Sequence, residues 1–549
     1  MNIKNWYIRI PLLIIVLFVL NIIGNSFNKR IDLTKDQRYT LSDETIKIIN
    51  GINQPLAIKV YLQGDFPAEF KRIQFETNQF LEELNALNHH INFRFVDPVN
   101  NYKELINKGL QPSKLTVQED GKTSEAVIFP WAIIHYKDKD EKVSLLSNSF
   151  APTQEIQLQK SIENIEYEFA NALLKITTEK SKKIAILKGN GELDDIYLYS
   201  FLKELGEHYK LAEFTLDSVE SNPQETLKNL LEYDLSIIAK PTNGFSEKEK
   251  LTLDQYIIHG GKTLWLIDNV FAELDSLIQN GNSMTFNREL NLTDLLFNYG
   301  IRINYDITQD MYSSTIRLAS GNLGNQTQYQ DFLWHYYPII ISDNNHPISI
   351  NLDPILLKFP SSMDTLDNGI AKTILLESSP FTKLKGTPVN ISLDEIANKP
   401  AKEEYNNGKQ IFGVLLEGNF KSAYATRVKP FEFDLYKEIA KNNKMIIISD
   451  GDIIANEIFR GEPLPLNIDK WTSQPYGNSS FLLNSVHYLL DDSGILNLRS
   501  KNLHIQFLDK EKAYEEKVYW QVFNLILPLI ILTLFGFLFN YYRKRKYSS

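Results

Sequence analysis

The chain has 549 residues, 43% hydrophobic and 23% charged, with a formal net charge of −10 and no cysteine. This is ordinary globular material, long enough for about two to four domains. The missing cysteine excludes disulfides, thiol nucleophiles, dithiol redox centres and thiolate metal sites, and the acidic balance argues against nucleic acid as a partner.

In chain order, the first element is an apolar stretch, Ile10–Leu20, widening to Trp6–Phe27. A helix crossing a bilayer needs about 20 apolar residues, and this stretch reaches that with its flanking aromatics at headgroup level. A cleaved signal peptide is the alternative, but the residues that follow, IIGNSF, contain no A-x-A-like site. Lys4 and Arg9 before the stretch are answered by Lys29, Arg30, Lys35 and Arg38 after it, so its basic residues do not orient it.

RIDLTKDQRYTLSDETIKII (30–49) reads as an extended lead into a helix capped by Ser42. LAIKVYL is a strand, PAEFKRIQFETNQFLEELNAL an amphipathic helix and INFRFVD an alternating strand. A short helix (NYKELINKG), two strands (EAVIFPWAIIHY and KDKDEKVSLL) and a long helix (TQEIQLQKSIENIEYEFANALLKI) follow. The order βαβαββα is that of thioredoxin-like domains. Without cysteines, 55–178 reads as a non-catalytic scaffold, with Pro130 an ordinary strand-edge proline. His89 and His90 lie on a polar loop with no third metal ligand.

After a charged linker at Lys180–Lys183, strands (KIAILKGN, LAEFTLD, DLSIIAK, TLWLID) alternate with helices. One of these, SEKEKLTLDQYIIHGG, ends on glycine. Continuous apolar strands in that alternation predict a parallel, doubly wound sheet. The strands KMIIISD and, more weakly, IFGVLLEG return later, so 270–410 is expected to hold an insertion. Within and beside it, 276–292 and 398–410 are polar, Asn-rich candidate loops. The chain then ends in a second apolar stretch, Leu525–Phe539 widening to Trp520–Tyr542, closed by Arg543, Lys544, Arg545 and Lys546. The positive-inside rule places that tail in the cytoplasm; two crossings return the N-terminus there and put the middle of the chain in the periplasm.

Three segments are candidate ligand or partner loops. Gly189, Asn190, Gly191 and Glu192 lie between the first strand and helix of the parallel sheet, where such folds bind ligands. However, Glu192, Asp194 and Asp195 would repel phosphate, and a tight turn with helix-start acids accounts for the string. Asp450 and Asp452 follow KMIIISD, where paired carboxylates suit a hard cation, although a polar turn explains them equally. Glu417 and Lys421, near Arg427, lie in LLEGNFKSAY, a stretch of weak periodicity that reads as a solvated or partner-facing loop. GGKT (Gly260–Thr263) is no P-loop, because Tyr256 stands where glycine is required and the string precedes a strand. No GxSxG, HExxH or kinase signature occurs, so the residues supply no catalytic chemistry and call for no cofactor.

Taken together, RIDLTKDQRYTLS, KVYLQGDFPAEFKRIQFET, FVDP, IENIEYEFANALLKI, KGNGELD, FGVLLEGNFKSAY, IISDGDIIAN, DKWTSQPYGNSSFLLNSVHYLLDD and LRSKN resemble the gliding-motility-associated ABC-transporter auxiliary proteins (the GldG family). The likeness runs from about residue 30 to 509 and lies in the number and order of motifs. It implies a non-enzymatic, membrane-anchored, substrate-binding-type component working beside a separate ABC permease subunit and a separate ABC ATPase subunit. The central region is similar to glutamine-amidotransferase-like sheets and to an N-terminal domain of an intraflagellar transport protein. The amidotransferases use a cysteine nucleophile, which this chain lacks. The expected layout is an anchor (1–29), a thioredoxin-like periplasmic domain (30–179), an auxiliary α/β domain (180–515), and a transmembrane helix with a basic tail (516–549).

Overall fold

The computed structural model describes residues 40–500 and 510–547, apart from 65–67, 120–121, 148–152, 325, 343, 398–399, 467, 471, 473 and 491–493, together with Leu13 and Ile15–Phe18. The expected first anchor therefore lies almost wholly outside the described residues. The chain divides into two compact units, Met1–Asn502 and Leu503–Ser549.

In the first unit, Ser42 caps the helix Asp43–Asn50 as expected, its side chain accepting from the Thr45 N–H. A four-stranded sheet follows, in the order Ile91–Phe95, Leu56–Val60, Trp131–Tyr136, Lys139–Ser144. The first pair is parallel and the others antiparallel. Two details differ from the sequence reading. EAVIFPWAIIHY is not one strand: Lys122–Ile128 pairs in a separate hairpin with Ser113–Glu119, and a new strand begins after Pro130. Proline has no N–H to give a ladder; Pro130 contributes its carbonyl instead, accepting from the Leu145 N–H at 2.8 Å. The long helix is likewise interrupted at Asn164, giving Gln154–Glu163 and Ile165–Thr177.

A nine-stranded mixed sheet forms the centre. Edge to edge it runs Ile301–Ile303, Met363–Thr365, Ile411–Lys421, Ile439–Ile448, Lys262–Leu266, Leu235–Ala239, Lys183–Lys188, Lys210–Thr215, with Ala371–Glu377 also on Ile411–Lys421. The last five of the main path are parallel, which explains their apolar runs: both faces are covered. Ala185 and Leu187 enter one core with Trp265 and Ile447, while Ile184 and Ile186 enter the other with Leu264 and Ile446. Ile411–Lys421 is antiparallel to all three strands it pairs with, so the expected purely parallel sheet is corrected to a mixed one. The same strand corrects the loop reading of LLEGNFKSAY.

The expected insertion is present as small antiparallel sheets around Trp334, Tyr336, Phe359 and Ile391. Part of it is built from 276–292, which is not a loop: a helix Leu274–Asn280, closed by Gly281 in the left-handed region, leads into a strand Asn282–Asn287 paired with Val389–Ser392. Its polarity reflects a narrow buried face, since Thr285 is buried while Met284 and Phe286 are exposed. In 398–410 the described residues hold one helical turn, Lys402–Glu404. GGKT is a helix-to-strand turn, where a Cβ on Gly261 would meet the Tyr256 ring at 2.3 Å.

The second unit contains the helix Lys517–Tyr547. Of this, Lys517–Lys546 is long and apolar enough to cross a membrane, and none of it is buried in protein.

Candidate functional site

The parallel strand order places the second strand of the sequence at one edge and the third on the other side of the first. The loops leaving Lys183–Lys188 and Leu235–Ala239 therefore diverge and leave a crevice beyond the carboxyl ends of the strands. The turn Gly189–Leu193 forms one wall. It is fastened to the other loop by the Thr242 and Asn243 N–H groups donating to Asn190 O at 2.9 and 2.8 Å, and by the Thr242 hydroxyl donating to Gly191 O at 2.9 Å. Only glycine suits position 191, whose φ is +72° and whose Cβ would lie 2.2 Å from Thr242 Oγ1. The insertion closes the opposite side with Leu274, Ile278, Ile316 and Phe359, leaving a cavity of about 560 Å³, within the usual range for ligand pockets.

Beneath the cavity lies a buried charge network. Lys240, only 6% exposed, is 2.6 Å from Asp452, 3.1 Å from Glu273 and 3.4 Å from Asp268. Arg288 reaches Glu273 at 3.2 Å, and Lys358 reaches Glu457 at 3.1 Å. Burial alone would lower the Lys240 pKa, but the surrounding Asp452, Asp268 and Glu273 outweigh it and hold the ammonium charged. Burial pushes Asp268 up to about 6; burial, with Asp268 and Asp452 nearby, pushes Asp450 well above the carboxylate range. Lys240 and Phe359, both lining the cavity, have positive φ, +53° and +52°, a cost of order 1–3 kcal/mol each that gathers at ligand clamps and active sites.

The sequence-predicted residues divide. Gly191, Glu192 and Asp452 line the cavity, with Gly189 and Asn190 on its turn. The turn's own carboxylate fills the place an anion would take: Glu192 Oε2 accepts from the Asn190 N–H at 2.8 Å. Asp450 is fully buried and spends its two oxygens on the backbone N–H groups of Lys358 (2.6 Å) and Asp452 (2.7 Å). It does not converge with Asp452 on a shared cation, and among the described residues no three His, Cys, Asp or Glu side chains form a metal-holding group.

Glu417 and Lys421 lie elsewhere. Glu417 accepts from Tyr488 Oη at 3.0 Å and pairs with Lys444 at 3.5 Å; Lys421 pairs with Ile439 across the strands; Arg427 is bound to Asp294. The expected grouping of Glu417 with Lys421 and Arg427 is thus corrected: Glu417 pairs with Lys444, and Arg427, beyond the end of the strand, pairs with Asp294. Sequence reasoning missed Lys240, Asp268, Glu273 and Lys358. The available signal was that DLSIIAK, TLWLID and KMIIISD each end an apolar strand on a charge.

The chain belongs to the family described as an ABC-type uncharacterized transport system, whose model matches residues 181–485. A second model, for a domain of unknown function, matches 35–135. An uncharacterized protein of Borreliella burgdorferi is 24% identical over 532 residues, with 94% of each chain covered. Among solved structures, the mmIFT52 N-terminal domain is 13% identical with a TM-score of 0.30, covering 57% of this chain and 99% of that one. Family membership makes this a transport-associated chain, points to a non-enzymatic role and implies association with transporter components. With the apolar helix Lys517–Lys546 it also points to membrane association.

Proposed function

We propose that this chain is a non-enzymatic, membrane-anchored auxiliary subunit of the ABC transporter associated with gliding motility, standing beside separate permease and ATPase subunits. It is held by a helix at each end, with both termini cytoplasmic, a thioredoxin-like domain (30–179) and a glutamine-amidotransferase-like α/β domain (180–515) in the periplasm, and a ligand or partner site at the cavity walled by Gly189–Glu192. The observation that carries the reading is the family match over 181–485 together with the C-terminal apolar helix and its basic stop. The ordered motifs quoted above support the motility assignment.

The described ends of the large unit support two tethers entering one membrane. Ser42, where the chain comes in, donates its N–H and hydroxyl to Glu166 Oε1, both at 2.8 Å. Arg499, where it leaves, lies 4.7 Å over the ring of the next residue, Tyr167. Ile48 packs on the same cluster as Ile495, Leu496 and Leu498. Both connections thus meet at one turn of Ile165–Thr177.

Cells lacking the chain are expected to stop gliding and to recover with the wild-type protein; unimpaired gliding would remove the motility assignment. Because the chain is free of cysteine, Asn2→Cys and Ser549→Cys report topology directly. Both should resist a membrane-impermeant maleimide in intact spheroplasts, and labelling of Cys at position 2 alone would leave a single anchor.

A further inference from the structure

The part of the chain built on the four-stranded sheet meets the part built on the nine-stranded sheet along the helix Ile165–Thr177. There Tyr167, Ala170 and Leu174 pack against Tyr488, Ile495, Leu496 and Leu498, and Lys175 ties Glu141 of the first part, at 2.7 Å, to Glu207 of the second, at 2.6 Å. Beside this seam two histidines lie ring against ring. His208 closes the helix Asp195–His208 and His487 lies on Asn478–Leu490, their centroids 4.7 Å apart and the rings edge to face at 82°. His487 is only 7% exposed. Its Nδ1 is hydrogen-bonded to Tyr209 Oη at 2.7 Å, while its Nε2 is enclosed without a partner. In a neutral ring that nitrogen can be the bare one, whereas a protonated ring donates from both, leaving a buried Nε2–H with no acceptor.

The surroundings also oppose a charge on either ring. Lys175 and Lys180 act on His208, Arg499 acts on His487, and each ring opposes protonation of the other. The nearby carboxylates are committed: Glu207 holds Lys175, Glu204 accepts from the Ser479 hydroxyl at 2.6 Å, and Glu168, near Arg499, is raised by burial. Burial first, then these cations, brings His208 down to about 4 and His487 to about 3. Once water reaches the rings they return to the ordinary value of about 6.5. The opened seam then binds more protons than the closed one, so each ring favours opening by about tenfold per pH unit as pH falls from about 6.5 towards 4. Above about 6.5 the pair is neutral in both states and has no effect. Protonated His208 also competes with Lys175 for Glu207, whose charge favours the imidazolium.

We infer that this seam is an acid-released latch: protonation of the His208–His487 pair parts the helix Ile165–Thr177 from Asn478–Leu490 and Ile495–Ser500. Both chain connections rest on that helix, Ser42 on Glu166 and Arg499 on Tyr167, so release uncouples one connection from the other.

The test uses the full chain in detergent micelles. Asp138→Cys and Lys228→Cys, at exposed positions in the two parts, are spin-labelled, and their separation is read by pulsed electron resonance from pH 7.5 to 4.5. The separation should hold down to about pH 6.5 and widen by pH 5, while far-ultraviolet circular dichroism keeps its neutral-pH signal. His208→Gln with His487→Gln should stay closed at pH 5. His208→Gln alone, at a half-buried position, should cut the dependence from about a hundredfold to about tenfold per pH unit, and it decides the matter if the double variant does not fold. A separation unchanged down to pH 4.5 would overturn the proposal, as would opening undiminished in His208→Gln. Loss of the dichroism together with the separation would also overturn it, by showing that the pair guards the whole unit and not a seam.

Discussion

Two buried lysines on the central domain make an instructive pair. Lys240, at the carboxyl edge of the sheet, is 6% exposed and faces Asp452, Glu273 and Asp268. Lys250, on the helix Glu247–Ile258, is 1% exposed and faces Glu247 at 2.7 Å and Asp294 at 2.9 Å. Burial and pairing are similar, yet the surroundings differ. Lys250 is roofed by the segment 422–438, whose base is closed by the Ser422 N–H donating to Glu438 O and whose start is pinned on Asp254 by Ser422, Ala423 and, from below, Tyr299. That network fastens a strap over a helix. Lys240 instead lies under an open cavity, on left-handed backbone. A buried ion pair alone does not mark a site; the adjoining space and the strained backbone do.

Four substitutions or titrations sharpen this contrast, from the largest expected effect to the smallest. Lys240→Met leaves Asp268 and Asp452 without their cation, Glu273 keeping Arg288, and uncompensated buried charge costs about 3–5 kcal/mol; thermal unfolding of the purified chain should register a large loss, and a loss no greater than that of Lys250→Met would erase the distinction. Asp268 comes next. Its folded-state pKa, about 6, lies above that of an unfolded aspartate, so the folded state binds more protons in the interval between them. The stability this carboxyl contributes is then full below about pH 4 and is lost as pH rises towards 6, a difference of order 2–3 kcal/mol. Asp268→Asn should remove that downward slope from the wild-type profile, and a parallel pair of profiles would refute the assignment.

Asp254→Asn weakens the acceptor shared by Tyr299, Ser422 and the Ala423 N–H, at a cost of about 1.5–3 kcal/mol. It should raise proteolytic cleavage within 424–437 before any global change. The mildest is Lys250→Met. Glu247 keeps its bond from Tyr424, and Asp294 keeps Arg427, so both acids retain partners and a loss of about 1 kcal/mol is expected. A loss as large as that of Lys240→Met would show the strap network to be equally unforgiving.

The same contrast explains what was legible in the sequence. LSIIA and IAIL announced themselves because strands covered on both faces need unbroken apolar runs, and the delayed return of KMIIISD gave away the insertion. The strand Asn282–Asn287 was not legible: in a thin sheet only Thr285 is buried, and polar residues fill the rest. Nor was the hairpin at 113–128, although Asp-Gly at 120–121 is a recognised turn signal. Of the site, Gly189–Glu192 and Asp452 could be found because topology alone puts the loops after parallel strands at one edge. Glu273 and Lys358 could not, and Lys240 offered only a charge at the end of an apolar strand, since their partners lie up to 212 residues away and a charge gains its meaning only from what folding brings beside it. Glu417 was misread for the converse reason: its strand is interrupted by a register shift between Gly418 and Phe420, which breaks the period-two pattern.

The most direct test of the central claim, that this chain works as a transporter subunit, is gentle-detergent purification of the tagged protein from its own membrane, with every co-eluting chain identified by mass spectrometry. The account predicts a multi-span permease and a P-loop ATPase in fixed ratio to it. A chain recovered alone, or bound only to envelope scaffold proteins, would contradict it.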